Sequence, residues 1–412
     1  MAWQKTLNQG KHMITPFKTK QTICAVAIAS VVLPLHAEQV NSFGDMFAKS
    51  NIDVNLRYRY ETVDQDNKDK DAKASTLKTR LTWQSAVFNN FSTFIEVDNV
   101  TVIGAGDYND THNGKTEYPV IADPKGTDLN QFFLKYQGEK GSFTGGRQRI
   151  LHNNQRFVGG VGWRQNEQTY DGVRLNFNMR ENVSFDYSYV VNVNRIFGPN
   201  DGAQPADWQG DFHLINSKWK LAKKHKVSAF AYLMNNESNF AASSNTVGVD
   251  YSGDFDVFVA NVSYAVQSDA GDNMNDYSAD YYKAEFVAGL ENLKLIAGIE
   301  VLGSDNDVGF ATPLATLHAF QGFADQFLST PANGIEDFYV TAKTKFKDVN
   351  FTLTYHDFSS SKGSINYGSE IDLTAAFAVT KKIGGLVKFA SYDADEHNTD
   401  TTKIWLMGTF KF

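Results

Sequence analysis

The chain has 412 residues, with 39 Lys and Arg against 47 Asp and Glu, a net charge of −8, and 13% aromatic residues. The acidic balance argues against nucleic acid as a partner. With 21% charged residues and only eight prolines, the composition also excludes a disordered or linker-rich chain.

The first predicted element is a leader. Lys5, Lys11, Lys18 and Lys20 precede an apolar run, Ile23 to Leu35, that closes on Leu35-His36-Ala37. A basic start, a short apolar centre and a small residue at the cut describe a Sec-type secretory signal over residues 1–37, read from Met1 or Met13. The run of 13 residues is too short for a spanning helix. Cys24, the only cysteine, lies at the wrong end of it for lipoprotein cleavage. The remaining chain, 38–412, has no cysteine and carries 35 cationic against 47 acidic residues, a net charge of −12. No apolar run in it approaches the roughly 18 residues of a membrane helix. A membrane-spanning form must therefore be a closed barrel.

From residue 51 onward the pattern is a two-residue alternation. "NIDVNLRYRYE" sets Ile52, Val54, Leu56, Tyr58 and Tyr60 against Asp53, Asn55, Arg57, Arg59 and Glu61. "KDVNFTLTYHD" sets Val349, Phe351, Leu353 and Tyr355 against Asn350, Thr352, Thr354 and His356. Such alternation predicts strands with one apolar face. "HKVSAFAYLMN", with Phe230 and Tyr232 opposite Ala229 and Ala231, cannot be oriented this way.

Eighteen strands are predicted, near 51–62, 74–87, 91–103, 127–137, 140–150, 166–178, 182–196, 211–222, 225–236, 244–252, 255–267, 277–290, 292–303, 336–347, 349–358, 367–380, 382–393 and 402–412. Tight turns such as "FNNF", "QGEKG" and "NMREN" follow even-numbered strands, while long connections, including 104–126, 151–165, 197–210 and 304–335, follow odd-numbered ones. This sorting puts all turns on one rim and all loops on the other. It is the pattern of an all-β, transmembrane antiparallel barrel with periplasmic turns and extracellular loops. Only about a dozen residues, 38–50, precede the first strand, which leaves no room for the plug domain of an energy-coupled transporter. The last stretch, "KIWLMGTFKF", reads as the closing strand, with Phe410 and Phe412 as the aromatic signal for the barrel-assembly machinery.

If apolar parity faces lipid, the other parity lines the pore. Arg57, Arg59, Lys78, Arg80, Arg147, Arg149, Arg174, Lys343 and Lys345 are then pore-lining candidates for binding anions, joined by Lys218, Lys220 and Lys283 and countered by Asp53, Glu61, Glu96, Asp98, Glu285, Glu300 and Asp372. Arg147 and Arg149 in "GGRQR" form the densest local concentration, since arginine forks suit carboxylates bidentately. Opposite charges that merely satisfy each other across the lumen are the alternative. Two loops offer constriction candidates: Arg156, Trp163 and Arg164 in 151–175, and His318, Phe320 and Phe323 in the aromatic stretch 312–340, which has no Lys or Arg. A loop of that composition is expected to pack into the barrel mouth or to cap its rim.

Catalysis finds no support. The histidines are scattered and no HExxH occurs. "DQDNKDKDAKAS" has Asp69 and Ser75 where a calcium loop needs glycine and a closing carboxylate, and "GGVGW" lacks the Lys-Ser/Thr of a phosphate loop. No metal or cofactor is expected.

The runs "GRQRI…NNQRFVG…GWRQNEQTYDGVR" and "TPLATLHAFQGFADQFL" resemble the alginate-export family of outer-membrane porins. With the strand count, the resemblance covers nearly all of residues 38–412. It implies a monomeric 18-stranded barrel in the outer-membrane bilayer, with a basic lumen passing anionic small solutes or oligosaccharides. An exporter of an alginate-type polymer, and a receptor or adhesin acting through its long loops, are the alternatives.

Overall fold

The computed structural model describes residues 38–412; the expected secretory signal lies outside the described residues. Eighteen antiparallel strands form one closed barrel. They are β1 Asn51–Gln65, β2 Ala72–Gln84, β3 Phe91–Asp107, β4 Gly126–Gln137, β5 Gly141–Gln148, β6 Thr169–Arg180, β7 Val183–Asn194, β8 Asp207–Ala222 and β9 His225–Asn236. The circuit continues with β10 Ser244–Asp254, β11 Phe258–Asp269, β12 Ser278–Leu290, β13 Leu293–Leu302, β14 Ile335–Phe346, β15 Val349–Ser359, β16 Asn366–Ala378, β17 Ile383–Ala394 and β18 Thr401–Lys411. Each strand pairs with its sequence neighbours, and β18 closes on β1, with Leu56 opposite Phe410 and Tyr60 opposite Leu406. All eighteen strands read from the sequence are present, and closure leaves no unpaired edge.

The connections sort as expected. Residues 138–140, 181–182 and 347–348 are tight turns, whereas 108–125, 149–168 and 303–334 at the opposite rim are long. At the β2–β3 turn Asn89 and Asn90 both have positive φ, 47° and 69°, the conformation of a two-residue hairpin that asparagine tolerates.

The barrel inverts the usual protein interior. Leu81, Leu134, Val247, Phe286, Leu353, Leu373 and Leu406 stand exposed on the outer wall. Arg57, Arg59, Glu61, Arg80, Glu96, Asp98, Glu300 and Asp372 are buried inside it. Lipid offers no hydrogen bonds, so polar side chains turn to the lumen and apolar ones outward. On the closing strand Ile404, Leu406 and Phe410 face out, while Lys403, Trp405 and Met407 are buried within.

The structure orients strand β9, which alternation alone left open. Phe230, Tyr232 and Met234 face inward and Leu233 outward. Phe157 from the 149–168 connection packs on them, 4.8 Å from Phe230 and 6.1 Å from Tyr232 between ring centroids. This side of the lumen is an apolar core rather than open bore. Gly248 makes room for it, since a Cβ there would lie 2.4 Å from the Phe230 ring.

A short helix, α1 (Phe43–Ala48), precedes the barrel at the tight-turn rim, where Ser42 Oγ caps it by accepting from Asp45 N at 3.1 Å.

Candidate pore constriction

Three long connections fold into the lumen instead of standing away from it. Residues 149–168 and 303–334 are bridged to each other at Val158 and Leu314, where Gly159 N donates to Leu314 O at 2.8 Å. Both loops then meet the wall through charged side chains, and 108–125 joins them through Asp123.

The first junction lies on β1. Arg57 donates to Gln165 Oε1 at 2.9 Å and to the carbonyls of Gly162 and Arg164. Arg59 bonds Asp123 at 3.3 Å and the Trp163 carbonyl, with its guanidinium 4.3 Å from the Trp163 ring centroid. Arg164 grips Glu61 with 3.1 and 3.2 Å contacts and reaches Asp325 at 3.3 Å. Burial pushes the Asp123 carboxyl up, but Arg164 and Arg59 outweigh it and hold it below the usual carboxylate range.

The second junction joins Lys78 and Arg80 on β2 with Glu96 and Asp98 on β3. Arg80 makes a bidentate pair with Asp98 at 2.7 and 2.6 Å, and Lys78 lies 3.0 Å from the same carboxylate. Glu167 enters from the loop beside Arg80 at 2.9 Å. Arg149 bonds both Glu96 and Glu167 at 2.5 Å. Burial raises the Glu167 carboxyl, yet Arg149, Arg80 and Lys78 together hold it well below its ordinary value.

The third junction holds the aromatic stretch. His318 stacks on Trp163 at 4.7 Å with 8° between planes, and Phe323 covers its other face at 5.2 Å. Its Nδ1 bonds Asp325 Oδ1 and its Nε2 faces Lys388 Nζ, each at 2.6 Å. Asp325 also takes Lys403 at 2.8 Å. The backbone amides of Phe323 and Ala324 donate to Asp372 and Glu370 on β16 at 3.1 and 2.7 Å. On the far side Arg156 bonds Glu300, Thr312 and Gln321 at 2.9, 3.1 and 3.1 Å and lies 4.7 Å from the Phe320 ring centroid.

The structure therefore brings Arg57, Arg59, Lys78, Arg80, Arg149, Arg156, Trp163, Arg164, His318, Phe320 and Phe323 into one inward-folded assembly. It does not bring Arg147 there. Arg147 is paired across β4 and β6 with Phe132 and Asp171, on the wall position of exposed Phe132, Phe143 and Val173. It faces outward and bonds Asp171 at 2.7 and 3.0 Å. The expectation that Arg147 and Arg149 share a lumenal face is corrected: β5 ends at Gln148, and the chain turns Arg149 inward. Arg174 does face the lumen, bonded to Asp186 on β7. Lys343 and Lys345 lie on the inward parity of β14, below the constriction. Phe410 is on the lipid face, and Phe412 N donates to Val54 O at 3.0 Å.

Sequence reasoning missed Lys388 and Lys403, the wall cations that receive the aromatic loop. Their inward parity opposite exposed Val387 and Ile404 was the available signal. It also missed Lys226 on β9 and Lys294 on β13, which stand exposed on inward parity near the periplasmic mouth. With Lys218 and Lys220 on β8 they give the lower lumen a lysine-rich wall. A recess of about 230 Å³, lined in part by Asn176, Ser184, Asp186, Asn216 and Lys218, opens there.

Residues 48–271 match the family model described as alginate export. The chain belongs to the alginate export family. No curated protein sequence matches it. Solved barrels share its fold closely. OpdK of Pseudomonas aeruginosa, in a crystal structure with vanillate, superposes with a TM-score of 0.69 at 12% identity over 89% of this chain and 99% of that one. OccAB2 of Acinetobacter baumannii does so at 0.68 and 16% over 90% and 100%. OccAB4 of the same organism gives 0.67 and 14% over 88% and 98%. This alginate-export-family chain thus folds as those outer-membrane barrels do.

Proposed function

We propose that the pore selects small anionic solutes, carboxylates among them, and passes them passively. The observation that carries this is which partner meets water in the ion pairs of Arg149. Arg149 is 20% exposed, while its carboxylates on Glu96 and Glu167 are 0% and 6% exposed. A solute entering the constriction meets guanidinium edges first, with the balancing carboxylates set back in the wall. Below it the wall offers Lys218, Lys220, Lys226 and Lys294. Cations lining a narrow aqueous path attract and orient anions. That a barrel of the same fold was crystallised with vanillate, a small carboxylate, agrees with this class. A polymer exporter needs a continuous wide groove, whereas here three loops are stitched to the wall across the bore. We take the working unit to be a monomer without catalytic activity, inserted by the barrel-assembly machinery through its closing strand with Phe410 and Phe412.

Liposome swelling tests the reading. Small carboxylates should enter faster than neutral or cationic solutes of equal size. Equal rates for all three would leave an unselective pore.

A further inference from the structure

The outer wall carries one feature that transport does not use. Residues 39–48 are stitched to the β2–β3 turn: Gln39–Val40 pairs in parallel with Val87–Phe88, Val87 N donates to Glu38 O at 2.8 Å, and Ala86 N donates to Met46 O at 2.9 Å. Met46 is buried with Val40 and Ala86, so one side of α1 is fixed. Its other side is apolar and bare. Phe43 is 63% and Phe47 46% exposed.

The position of those rings decides what covers them. Phe47 stacks on Trp83 at 5.9 Å, and Trp83 shares the outward parity of exposed Leu81 on β2. Phe43 lies 6.3 Å from Phe88. The helix thus sits outside the barrel, at the tight-turn end of the lipid-facing wall. Around the same rim, Phe91 pairs with Tyr136 at 5.0 Å and Phe258 with Phe286 at 5.8 Å, an aromatic girdle at the level where membrane meets water. Phe43 and Phe47 continue that girdle sideways from the wall. The polar groups of the segment, Asp45 at the capped helix start and the exposed Glu38–Lys49 pair at 2.7 Å, complete an amphipathic unit of the kind that lies in an interface.

We propose that α1 and the strand before it form an interfacial foot seated in the periplasmic leaflet, with phospholipid at its headgroup–acyl boundary as the partner. Two rings on a six-residue helix present far less surface than a stable contact with a second copy buries. Continuity with the lipid-facing girdle favours lipid. Because the foot is hydrogen-bonded to the β2–β3 turn, it holds the leading segment against the outer wall, away from the periplasmic mouth of the pore.

The absence of cysteine from 38–412 makes a clean test. In a Cys24→Ser background, Phe43→Cys and Phe47→Cys are spin-labelled one at a time in the full barrel, folded in phospholipid vesicles. Leu353→Cys on the lipid face and Asp69→Cys in an extracellular loop serve as references. Heat-modifiable mobility confirms folding. Phe43 is the more exposed ring and is not part of the buried Val40–Met46–Ala86 cluster, so its variant stands even if Phe47→Cys disturbs the Trp83 stack. The ratio of oxygen to nickel-chelate accessibility at position 43 should lie severalfold above that at 69 and below that at 353. A ratio equal to that at 69 would place the helix in water and overturn the proposal. So would spin–spin broadening that disappears on dilution with unlabelled protein, which would make a second copy the occupant.

Discussion

Arg147 and Arg149 stand two residues apart on opposite sides of the barrel wall. One pairs with Asp171 on the outward face, and the other reaches Glu96 and Glu167 inside. Only Arg149 can act on a passing ion. A lumenal cation contributes about 1 kcal/mol to an anion a few ångströms away at an effective dielectric between surface and bulk values, or about fivefold in preference. Arg149→Gln should lower the anion-to-cation permeability ratio by about that factor at low ionic strength, where screening is least. Arg147→Gln should leave it unchanged. Reversal potentials of the two variants measure the difference, and equal shifts would contradict the assigned faces.

Leu353 on β15 is 49% exposed, and its neighbour Thr354 is buried, bonded to Thr341 at 3.0 Å. Leu353→Lys should cost about 2–4 kcal/mol if it faces lipid near the midplane. Thr352→Lys, on the lumenal side, should be mild. Folding titrations into vesicles report both values.

Arg164 ties its loop to Glu61 on β1 and Asp325 in the neighbouring loop. Removing one partner of a buried pair leaves an uncompensated charge and costs about 3–5 kcal/mol. The barrel is held by its closed hydrogen-bond ladder, so this loss falls on loop docking. Arg164→Ala should raise single-channel conductance and open-channel noise while the heat-modifiable band persists. Unchanged conductance would mean that the loop does not narrow the path.

His318 should make the constriction sensitive to acid. With an ionised Asp325 at Nδ1 and a charged Lys388 at Nε2, the ring donates to the first and accepts from the second, so that docked arrangement is one of a neutral imidazole. Burial, opposed by Asp325 and aided by Lys388 and Arg164, holds its pKa well below the ordinary 6.5. The surrounding charges are Asp325, Lys388, Lys403, Arg164 and, through Phe323, Asp372. A histidine depressed in the docked state contributes fully above its undocked pKa, and its contribution falls as pH drops below that value. Current fluctuations should therefore grow between about pH 7.5 and about pH 5. His318→Phe keeps the stack on Trp163 but cannot titrate, so it should abolish that pH dependence. A pH response surviving in His318→Phe would assign the effect to another group.

The barrel was legible in the sequence because a lipid-facing wall forces alternation, which strands such as β1 and β15 carry plainly. The lumen was less so. Period two says which side a residue faces but not which loop will lie over it, so the partners Glu61–Arg164 and Lys388–His318, separated by 103 and 70 residues, left no local trace. Where a loop packs on the wall, the lumen itself turns apolar, which is why Phe230 and Tyr232 could not be oriented. "GGRQR" misled for a related reason. Its glycines carry no hydrophobic marker, Phe143 and Ile150 on either side of it have opposite parities, and the end of β5 at Gln148 was invisible.

The most direct test of an anion-selecting pore is the zero-current potential of the unmodified barrel in a planar bilayer under a potassium chloride gradient. An anion-selective path drives the potential toward the chloride equilibrium value, with the deviation growing as total salt is lowered. A potential near zero, or one displaced toward the potassium value, would contradict the assignment of the exposed arginine and lysine side chains as the selecting surface.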